Sequence, residues 1–445
     1  MKAHLVTLGC PKNLVDSEAS LSLLRQAGCT STDDPERADI LIVSACSFLD
    51  AAWQETLDEV HRLAEVKAAG EGKKLILMGC LPKHRRENLR QLLPFVDRFI
   101  PAGGQAMLPA IVREWEGAAP AAVEPIGDQF AGFEERSLLT PSHTAYVKIA
   151  EGCSRRCTFC AIPSIRGRMV SRPVASIVRE LENLMGQGVK EVSLLAQDIT
   201  SYNSEGHRFA DLVGAVAETG IEWIRIFYLH PGSLSLELAR RLFEYPAVCR
   251  YLEAPVQHAS DRVLKRMRRP YTRARLRRLF EGLRAEFPDL RVRSEVIVGF
   301  PGETDEDFDE LKSFLRTAEF ASLGVFAYSP ESNTPAAVMN GRVERHLVDE
   351  RVAELNDLQE SITFGLLNRE RGNRHRILVD RKLGGDESYP EGFGYSGRYY
   401  GQAYEVDGEV YLRGEHLDVG TFVDARITDS DIHDLRAVVS GSQSA

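Results

Sequence analysis

Three cysteines in one short loop constrain this chain more than any other feature. Cys153, Cys157 and Cys160 are spaced as Cys-x3-Cys-x2-Cys. A structural zinc site needs four closed ligands, whereas three thiolates on a 4Fe-4S cluster leave one iron open to another molecule. A zinc ribbon would repeat a Cys-x2-Cys pair further along the chain, and the sequence contains no second pair. We therefore interpret the triad as ligands of a 4Fe-4S cluster; an incomplete zinc site and three buried cysteines are the alternatives.

Three further cysteines share one local context, which predicts a second cluster. Cys10, Cys46 and Cys80 each follow an apolar, strand-like segment and one small residue, and the segments between them have helical spacing. Apolar strands that alternate with helices predict a doubly wound parallel sheet, in which ligands bind at the carboxyl ends of the strands. The three thiols should therefore meet in one crevice and could hold a second 4Fe-4S cluster, although buried cysteines often act as small hydrophobes. Cys29 and Cys249 lack this context, and we interpret both as structural.

Length and composition favour an intracellular enzyme of several parts. A chain of 445 residues should form about three domains. Its hydrophobic fraction of 43% and charged fraction of 27% are ordinary for a soluble globular protein. Because no apolar segment reaches the roughly 20 residues of a membrane helix and reduced thiols are typical of the cytoplasm, we expect a cytoplasmic protein without membrane contact. The formal charge of −10 disfavours a general nucleic-acid binder and favours basic partners.

The order of the expected elements predicts an α/β protein of three domains. Residues 1–116 form the doubly wound sheet, and residues 117–142 have the Gly-, Pro- and Ala-rich composition of a linker. Residues 143–370 alternate strands with helices, which predicts a complete or partial parallel β/α barrel. The Cys153 triad would lie in the loop after its first strand. Residues 371–445 contain short strands and Gly- and Tyr-rich turns, which predict a small all-β module. The expected barrel strands are 144–150, 190–196, 223–229, 250–255, 291–298 and 324–328.

Four motifs resemble one enzyme family over essentially the whole chain. They are Leu8-Gly-Cys-Pro-Lys-Asn-Leu-Val-Asp-Ser-Glu18, Glu151-Gly-Cys with Cys160-Ala-Ile-Pro-Ser-Ile-Arg-Gly167, Val298-Gly-Phe-Pro-Gly-Glu-Thr304, and Tyr328-Ser-Pro-Glu331. Together they resemble the radical S-adenosylmethionine (SAM) methylthiotransferases. The resemblance implies an N-terminal methylthiotransferase domain, a radical SAM barrel and a C-terminal, OB-like TRAM domain.

Further residues are similar to the subfamily that methylthiolates an aspartate of the small-subunit ribosomal protein twelve. They are Gly9-Cys-Pro-Lys-Asn13, Pro255-Val-Gln-His-Ala-Ser260 and Lys265-Arg-Met-Arg-Arg-Pro270. The related enzymes that modify tRNA adenosine, which are the alternative, more usually have Gln-Ser-Gly-Ser after the proline. One departure is Ala403-Tyr-Glu, where the subfamily typically has Ala-Pro-Glu, and it puts little in doubt beyond a turn.

The resemblance also implies a division of labour between the two cysteine triads. Substitution at an aliphatic β-carbon must break an unactivated C–H bond, which requires a radical. On this reading Cys153, Cys157 and Cys160 hold the cluster that reduces SAM. Cys10, Cys46 and Cys80 hold a second 4Fe-4S cluster that carries the sulfur to be inserted. An electron donor such as flavodoxin or ferredoxin is implied as a partner.

Five residues are candidates for SAM contacts. Phe159 resembles the residue that packs on adenine, although a core aromatic is about as common. Gln197 and Asp198 end the second barrel strand and could bind the ribose or amino-acid part of SAM; the alternative is a strand-end cap. Glu295 could meet the SAM amino group. Gly299 could let the backbone approach the adenine, although a glycine there could serve only a turn.

Two charge features bear on the substrate. Segment 262–278 contains nine Lys or Arg residues, which could contact ribosomal RNA phosphates or form the solvated face of a helix. Residues 371–445 contain nine Lys or Arg against thirteen Asp or Glu, a local charge of −4, so this module should prefer a basic ribosomal protein to RNA. An Asp-Gly turn at 406–410 predicts a hairpin with Glu405, Asp407 and Glu409 at one exposed tip. A protein-modifying enzyme, a tRNA-modifying enzyme and a zinc-stabilised RNA-binding scaffold therefore remain as function classes.

Overall fold

A computed structural model describes residues 1–46, 50–80, 83–118, 128–331, 333–384 and 389–440. Its N-terminal part is a parallel sheet of five strands in the order β2-β1-β3-β4-β5. The strands are β1 Lys2–Thr7, β2 Thr30–Ser31, β3 Ile40–Ala45, β4 Lys74–Gly79 and β5 Arg98–Pro101. The helices are α1 Pro11–Gln26, α2 Asp50–Ala69, α3 Lys83–Leu92 and α4 Leu108–Trp115. The predicted doubly wound sheet is confirmed.

Alternating residues of β3 show why this segment is an apolar run. Leu41 and Val43 belong to the core that contains residues of α2, whereas Ile40 and Ile42 belong to the core that contains residues of α1 and α4. Both faces of the sheet are covered, so every residue of β3 is buried.

The central part is an open parallel sheet of six long strands in sequential order, with β6 and β15 at its edges. Its strands and the short pairs beside them are β6 Thr144–Lys148, β7 Ala150–Glu151, β8 Val170–Ser171, β9 Glu191–Leu195, β10 Asn203–Ser204, β11 His207–Arg208, β12 Trp223–Ile226, β13 Val248–Glu253, β14 Arg291–Val298 and β15 Ser322–Ala327. The helices are α5 Ile162–Arg166, α6 Val174–Gly186, α7 Phe209–Glu218, α8 Leu236–Phe243, α9 Asp261–Arg266, α10 Arg273–Glu286, α11 Asp305–Ala318 and α12 Arg345–Asn368. The predicted β/α architecture is confirmed, in its partial-barrel form. We call this part the central barrel.

The C-terminal part is a small closed barrel in the order β16-β17-β18-β20-β19. Its strands are β16 Arg374–Lys382, β17 Tyr395–Tyr399, β18 Val410–Arg413, β19 Phe422–Ser430 and β20 Leu435–Val439. The all-β prediction is therefore confirmed. None of the helices in the described residues is both long and apolar enough to cross a membrane.

The predicted Asp-Gly hairpin tip is wrong. A turn of that kind needs positive φ at both central residues, and neither Asp407 nor Gly408 has it. A Cβ on Gly408 would overlap the carbonyl oxygen of His433, so this glycine permits a close backbone approach instead. The Asp407 carboxylate accepts a hydrogen bond from the backbone N–H of Ala403 at 2.9 Å. The three carboxylates therefore do not share one exposed tip.

One apolar cluster passes through the central barrel and joins all three parts. It contains Val15 of α1, Tyr251 of β13 and Leu378 of β16. At the C-terminal end of this cluster a buried arginine, Arg398, forms ion pairs with Glu191 of β9 at 2.7 Å and with Asp380 of β16 at 2.7 Å. The C-terminal barrel is thus fixed to the central barrel by both apolar and ionic contacts.

Candidate active site

The Cys153 triad lies between β7 and α5, at the mouth of the central barrel. Cys153 is buried, and Cys157 and Cys160 are half-buried. Burial, together with the nearby Cys157 and Cys153, raises the pKa of the Cys160 thiol to about 12. The three sulfurs are therefore close enough to interact. Their role as cluster ligands stays a prediction, because proximity alone does not identify the bound group.

Two nitrogen donors already point at sulfur atoms of this triad. The backbone N–H of Arg155 donates to Sγ of Cys153 at 3.4 Å, and Nη1 of Arg269 donates to Sγ of Cys157 at 3.4 Å. Hydrogen bonds to the sulfurs are one of the ways in which a protein tunes an iron–sulfur cluster. The donor set therefore fits a thiolate-bound cluster.

The second triad meets at the carboxyl ends of the N-terminal strands, as the spacing predicted. Cys10 precedes α1, Cys46 follows β3 and Cys80 follows β4. Burial, together with the nearby Cys10 and Cys46, raises the pKa of Cys80 to about 11, although Arg166 opposes this shift. A Cβ on Gly9, which has φ +89°, would overlap Cβ of Cys46 and lie 2.8 Å from its Sγ. Only glycine can therefore precede Cys10 at this distance from Cys46.

Asn13 braces the loops that carry this second triad, a role that the sequence analysis missed. Its side chain is fully buried. The amide Nδ2 donates to the backbone oxygens of Leu8 at 3.0 Å and of Ala45 at 2.6 Å, and Sγ of Cys80 donates to Oδ1 at 3.5 Å. One amide thus ties together the approaches to all three cysteines. The available signal was its place in the Gly9-Cys-Pro-Lys-Asn13 motif.

A single buried arginine reaches the second triad from the helix that follows the Cys153 triad. Arg166, which ends α5 six residues after Cys160, donates to Sγ of Cys80 from Nε at 3.2 Å and from Nη2 at 3.0 Å. Its Nη1 pairs with Glu151 at 2.9 Å and with Asp16 at 3.1 Å. The guanidinium therefore links the central barrel to the N-terminal sheet and contacts sulfur at the same time.

The positive and negative side chains around Arg166 are equal in number when the cysteine sulfurs are left out. Lys148 also contacts both Asp16 and Glu151, so two cations face two carboxylates, all of them buried. Burial opposes ionisation of Glu151, yet Arg166 and Lys148 lower its pKa to about 2. Burial likewise opposes ionisation of Cys10, and Lys12 and Arg166 nevertheless lower the pKa of this thiol. These two cations therefore favour the anionic form of Cys10.

Three of the predicted SAM-contact residues lie close to the Cys153 triad. Phe159 packs in a small core that includes Phe300. Nε2 of Gln197 donates to Glu151 at 3.3 Å, and its buried Oε1 lacks a hydrogen-bond partner within the described chain. Asp198 accepts a hydrogen bond from Nε of Arg155 at 2.6 Å. Gln197 therefore has acceptor capacity left for a ligand, whereas Asp198 already has protein partners.

The other two lie on and just after β14. Glu295 lies 3.7 Å from Arg293. Gly299 has φ +75°, and a Cβ there would overlap the side chain of Val348 on α12. The glycine is therefore required by helix packing, whatever its relation to SAM. A contact between SAM and any of the five residues stays a prediction.

Zinc coordination finds no support in the described residues, where no three His, Cys, Asp or Glu side chains surround one ion position. Each thiolate of a cubane cluster binds a different iron, so its ligands stand further apart than those of a single ion.

The basic segment 262–278 is largely engaged within the protein. Arg262 pairs with Asp307, Nε of Arg266 donates to the backbone oxygen of Pro301 at 2.8 Å, and Arg273 pairs with Glu310 at 3.3 Å. These arginines stabilise the loop after β14 and helix α11, which favours the structural alternative for them.

Three known families match successive parts of the chain. Residues 2–101 match uncharacterized protein family UPF0004, residues 147–315 match the radical SAM superfamily, and residues 372–439 match the TRAM domain. These segments coincide with the N-terminal sheet, most of the central barrel and the C-terminal barrel.

Curated relatives match almost the whole chain. The ribosomal protein uS12 methylthiotransferase RimO of Geobacter sulfurreducens is 40% identical over 98% of this chain and 97% of that protein. The protein of the same name from Sorangium cellulosum is 39% identical over 98% of this chain and 90% of its own length.

Solved structures show the same fold at low sequence identity. The radical SAM methyltransferase TsrM of Kitasatospora setae, solved with cobalamin and a 4Fe-4S cluster, has a TM-score of 0.53 at 16% identity and covers 76% of this chain and 77% of that one. The cobalamin-dependent radical enzyme OxsB has a TM-score of 0.51 at 13% identity and covers 81% of this chain and 56% of that one.

Proposed function

The chain belongs to the ribosomal protein uS12 methylthiotransferase family, and we propose that it inserts a methylthio group at the β-carbon of an aspartate in that small-subunit protein. The observation that carries the proposal is the pair of cysteine triads, one of which Arg166 contacts from the helix that follows the other. A reaction that removes hydrogen and also inserts sulfur needs two reactive centres near each other. The choice of substrate rests on the names of the relatives.

Two iron–sulfur clusters and SAM are the cofactors of this proposal. Membership of the radical SAM superfamily implies SAM and one 4Fe-4S cluster, which Cys153, Cys157 and Cys160 would hold. We assign a second 4Fe-4S cluster to Cys10, Cys46 and Cys80. When bound, these groups supply electron transfer to SAM, the radical that removes hydrogen, and a sulfur atom for insertion.

The protein's own residues hold these centres and control their charge. Arg166 and Arg269 place N–H donors on sulfur atoms of the two triads, which stabilises anionic thiolates. Asn13 holds the loops of the second triad in position through hydrogen bonds to their backbone. We propose Phe159, Gln197, Asp198, Glu295 and Gly299 as the SAM contacts. Among these, the unpartnered Oε1 of Gln197 is the most direct sign of a missing ligand.

We further propose that the chain works as three domains, 1–116, 143–370 and 371–445. Nine Lys or Arg against thirteen Asp or Glu give residues 371–445 a charge of −4, which suits a basic ribosomal protein better than an RNA backbone. A flavodoxin- or ferredoxin-like electron donor belongs to the proposal. A contact with ribosomal RNA would have to use members of segment 262–278 that make no internal pair.

A competition assay tests the proposed substrate. The anaerobically purified enzyme is incubated with SAM, a reductant, the small-subunit ribosomal protein twelve and tRNA together, and both macromolecules are then analysed by mass spectrometry. A methylthio group on the aspartate of the ribosomal protein is expected. A methylthio group on tRNA adenosine would contradict the proposal and establish the alternative enzyme.

Metal analysis of the same preparation tests the two-cluster assignment. About eight irons per chain and little zinc are expected, because two cubane clusters carry four irons each. About four irons per chain would contradict the assignment of a second cluster. One zinc without iron would point to a noncatalytic scaffold.

A further inference from the structure

Three side chains at the mouth of the central barrel form an arrangement that the two clusters do not explain. Lys12 is the second residue of α1, two positions after Cys10, and is 8% exposed. Its Nζ stands 3.3 Å from the centroid of the Tyr228 ring, well within the range of a cation–π contact. The ammonium contacts the Tyr228 ring and forms no salt bridge within the described residues. A buried cation with so little compensation can accept an anion.

Tyr228 is held in a backbone conformation that a bulky residue rarely adopts. Its φ is 60°, and such residues cluster where the surrounding structure serves a ligand. It follows β12 at the mouth of the barrel. The adjacent backbone N–H of Leu229 donates to the backbone oxygen of Glu253 at 2.9 Å. The ring that supports Lys12 therefore lies on the strand end next to Glu253.

Glu253 contributes a buried carboxyl oxygen without a partner. The residue is 2% exposed, and its Oε1 has no hydrogen-bond partner in the described part of the chain. Leaving a buried polar group unpaired costs about 1–3 kcal/mol, which a ligand that binds this oxygen would recover. Burial and the neighbouring Glu295 raise the pKa of Glu253 to about 8, although Arg293 and Lys12 oppose this shift. Near neutral pH its carboxyl group is largely protonated and can donate a hydrogen bond.

We propose that Lys12, Tyr228 and Glu253 form the subsite for the side-chain carboxylate of the aspartate that is modified, an inference that rests on the proposed function. The β-carbon that receives sulfur is bonded to this carboxylate, so the carboxylate must lie beside the sulfur-bearing triad. Lys12 meets that requirement because it is two residues from Cys10. Its ammonium pairs with the carboxylate, the Tyr228 ring holds the ammonium in place, and the Glu253 carboxyl group donates to the second oxygen.

This subsite predicts discrimination between aspartate and asparagine, which have the same shape. A carboxamide loses the ion pair with Lys12 and has one acceptor oxygen in place of two. The wild-type enzyme should therefore have a kcat/KM for the ribosomal protein at least about 30-fold higher than for the version with asparagine at the modified position.

The test is the ratio of these two kcat/KM values in Lys12→Met. Because both substrates meet the same preparation, the ratio does not depend on the fraction of correctly folded enzyme. We expect it to fall to within about threefold of one, since a buried charge pair accounts for most of the preference. Lys2→Met, at the exposed start of β1, is the matched control and should keep the wild-type ratio. A wild-type ratio in Lys12→Met overturns the proposal.

A second pair of variants tests Glu253 separately. Glu253→Gln keeps a donor and should stay within a few-fold of the wild-type kcat/KM for the aspartate substrate, whereas Glu253→Leu should fall by about tenfold or more. Equal kcat/KM values for the two variants would show that Glu253 does not contribute to the subsite. If the wild-type enzyme modifies aspartate and asparagine equally, this inference fails and the proposed function stands. If it modifies neither form of the ribosomal protein, both fail.

Discussion

Among the buried arginine networks that join the parts of this protein, two differ in what they contact. In the first, Arg166 connects the central barrel to Asp16 of the N-terminal sheet and donates to Sγ of Cys80. In the second, Arg398 of the C-terminal barrel pairs with Glu191 of the central barrel and with Asp380. Each network contains two cations and two carboxylates. The second cation is Lys148 in the first network and Arg225 in the second. Burial and charge pairing are therefore the same in both, and only contact with sulfur marks the first network as part of the active site.

The largest effect is expected for Arg166→Met. Removing this guanidinium leaves two buried carboxylates short of a partner, which typically costs about 3–5 kcal/mol of unfolding free energy. It also removes both donors to Cys80. We expect lower stability in chemical denaturation together with loss of methylthiolation in the folded fraction. Wild-type methylthiolation per folded molecule would show that the Arg166 network is only a structural joint.

Arg398→Met should show whether the two networks differ in function. The same type of buried pair is broken, so a similar loss of about 3–5 kcal/mol is expected. No sulfur is contacted, and the yield of 5′-deoxyadenosine from SAM per folded molecule should therefore remain within about twofold of wild type. Methylthiolation per folded molecule should likewise stay within about twofold of wild type at saturating ribosomal protein. A loss of methylthiolation as severe as in Arg166→Met would show that the two networks do not differ in function.

A smaller effect is expected for Asn13→Ala. The substitution leaves the backbone oxygens of Leu8 and Ala45 without their amide donor, at a cost of about 1–3 kcal/mol. Because these oxygens lie beside the second triad, iron content should fall towards four per chain while the cluster of the Cys153 triad remains. Iron analysis after anaerobic purification measures this, and an unchanged iron content would contradict the bracing role.

The smallest effect is expected on the outer surface of the C-terminal barrel. Glu405 is exposed, and Glu405→Lys should weaken binding of the basic ribosomal protein by less than about tenfold, because exposed charge pairs contribute little. The loss should diminish as salt screens the charges. Glu237→Lys, on α8 of the central barrel, is the control. An affinity that does not change in Glu405→Lys would argue against recognition through this surface.

Local patterns predicted the parts of the molecule in which neighbouring residues decide the structure. The apolar strand before Cys10, Cys46 or Cys80 and the parallel sheet rule were enough to expect that these thiols meet. The six barrel strands follow from alternation of strands and helices. The Asp-Gly turn was predicted by the same local logic and failed, since the close approach of Gly408 to the His433 backbone overrides the turn preference.

Contacts between distant residues could not be predicted in this way. Arg166 and Asp16 are 150 positions apart, and nothing in either segment indicates that they pair. The same holds for Arg398 and Glu191, which belong to different barrels. Asn13 and Arg166 lay inside the quoted motifs, so their positions were flagged, but their roles depend on tertiary structure.

The central claim is that the two triads do different work, and one experiment tests it most directly. Formation of 5′-deoxyadenosine and of methylthiolated ribosomal protein is measured in Cys157→Ala and Cys46→Ala, with Cys249→Ala, a buried cysteine outside both triads, as the control. Cys157→Ala should form neither product, whereas Cys46→Ala should still release 5′-deoxyadenosine and form no methylthiolated protein. Methylthiolated protein from Cys46→Ala would contradict the account.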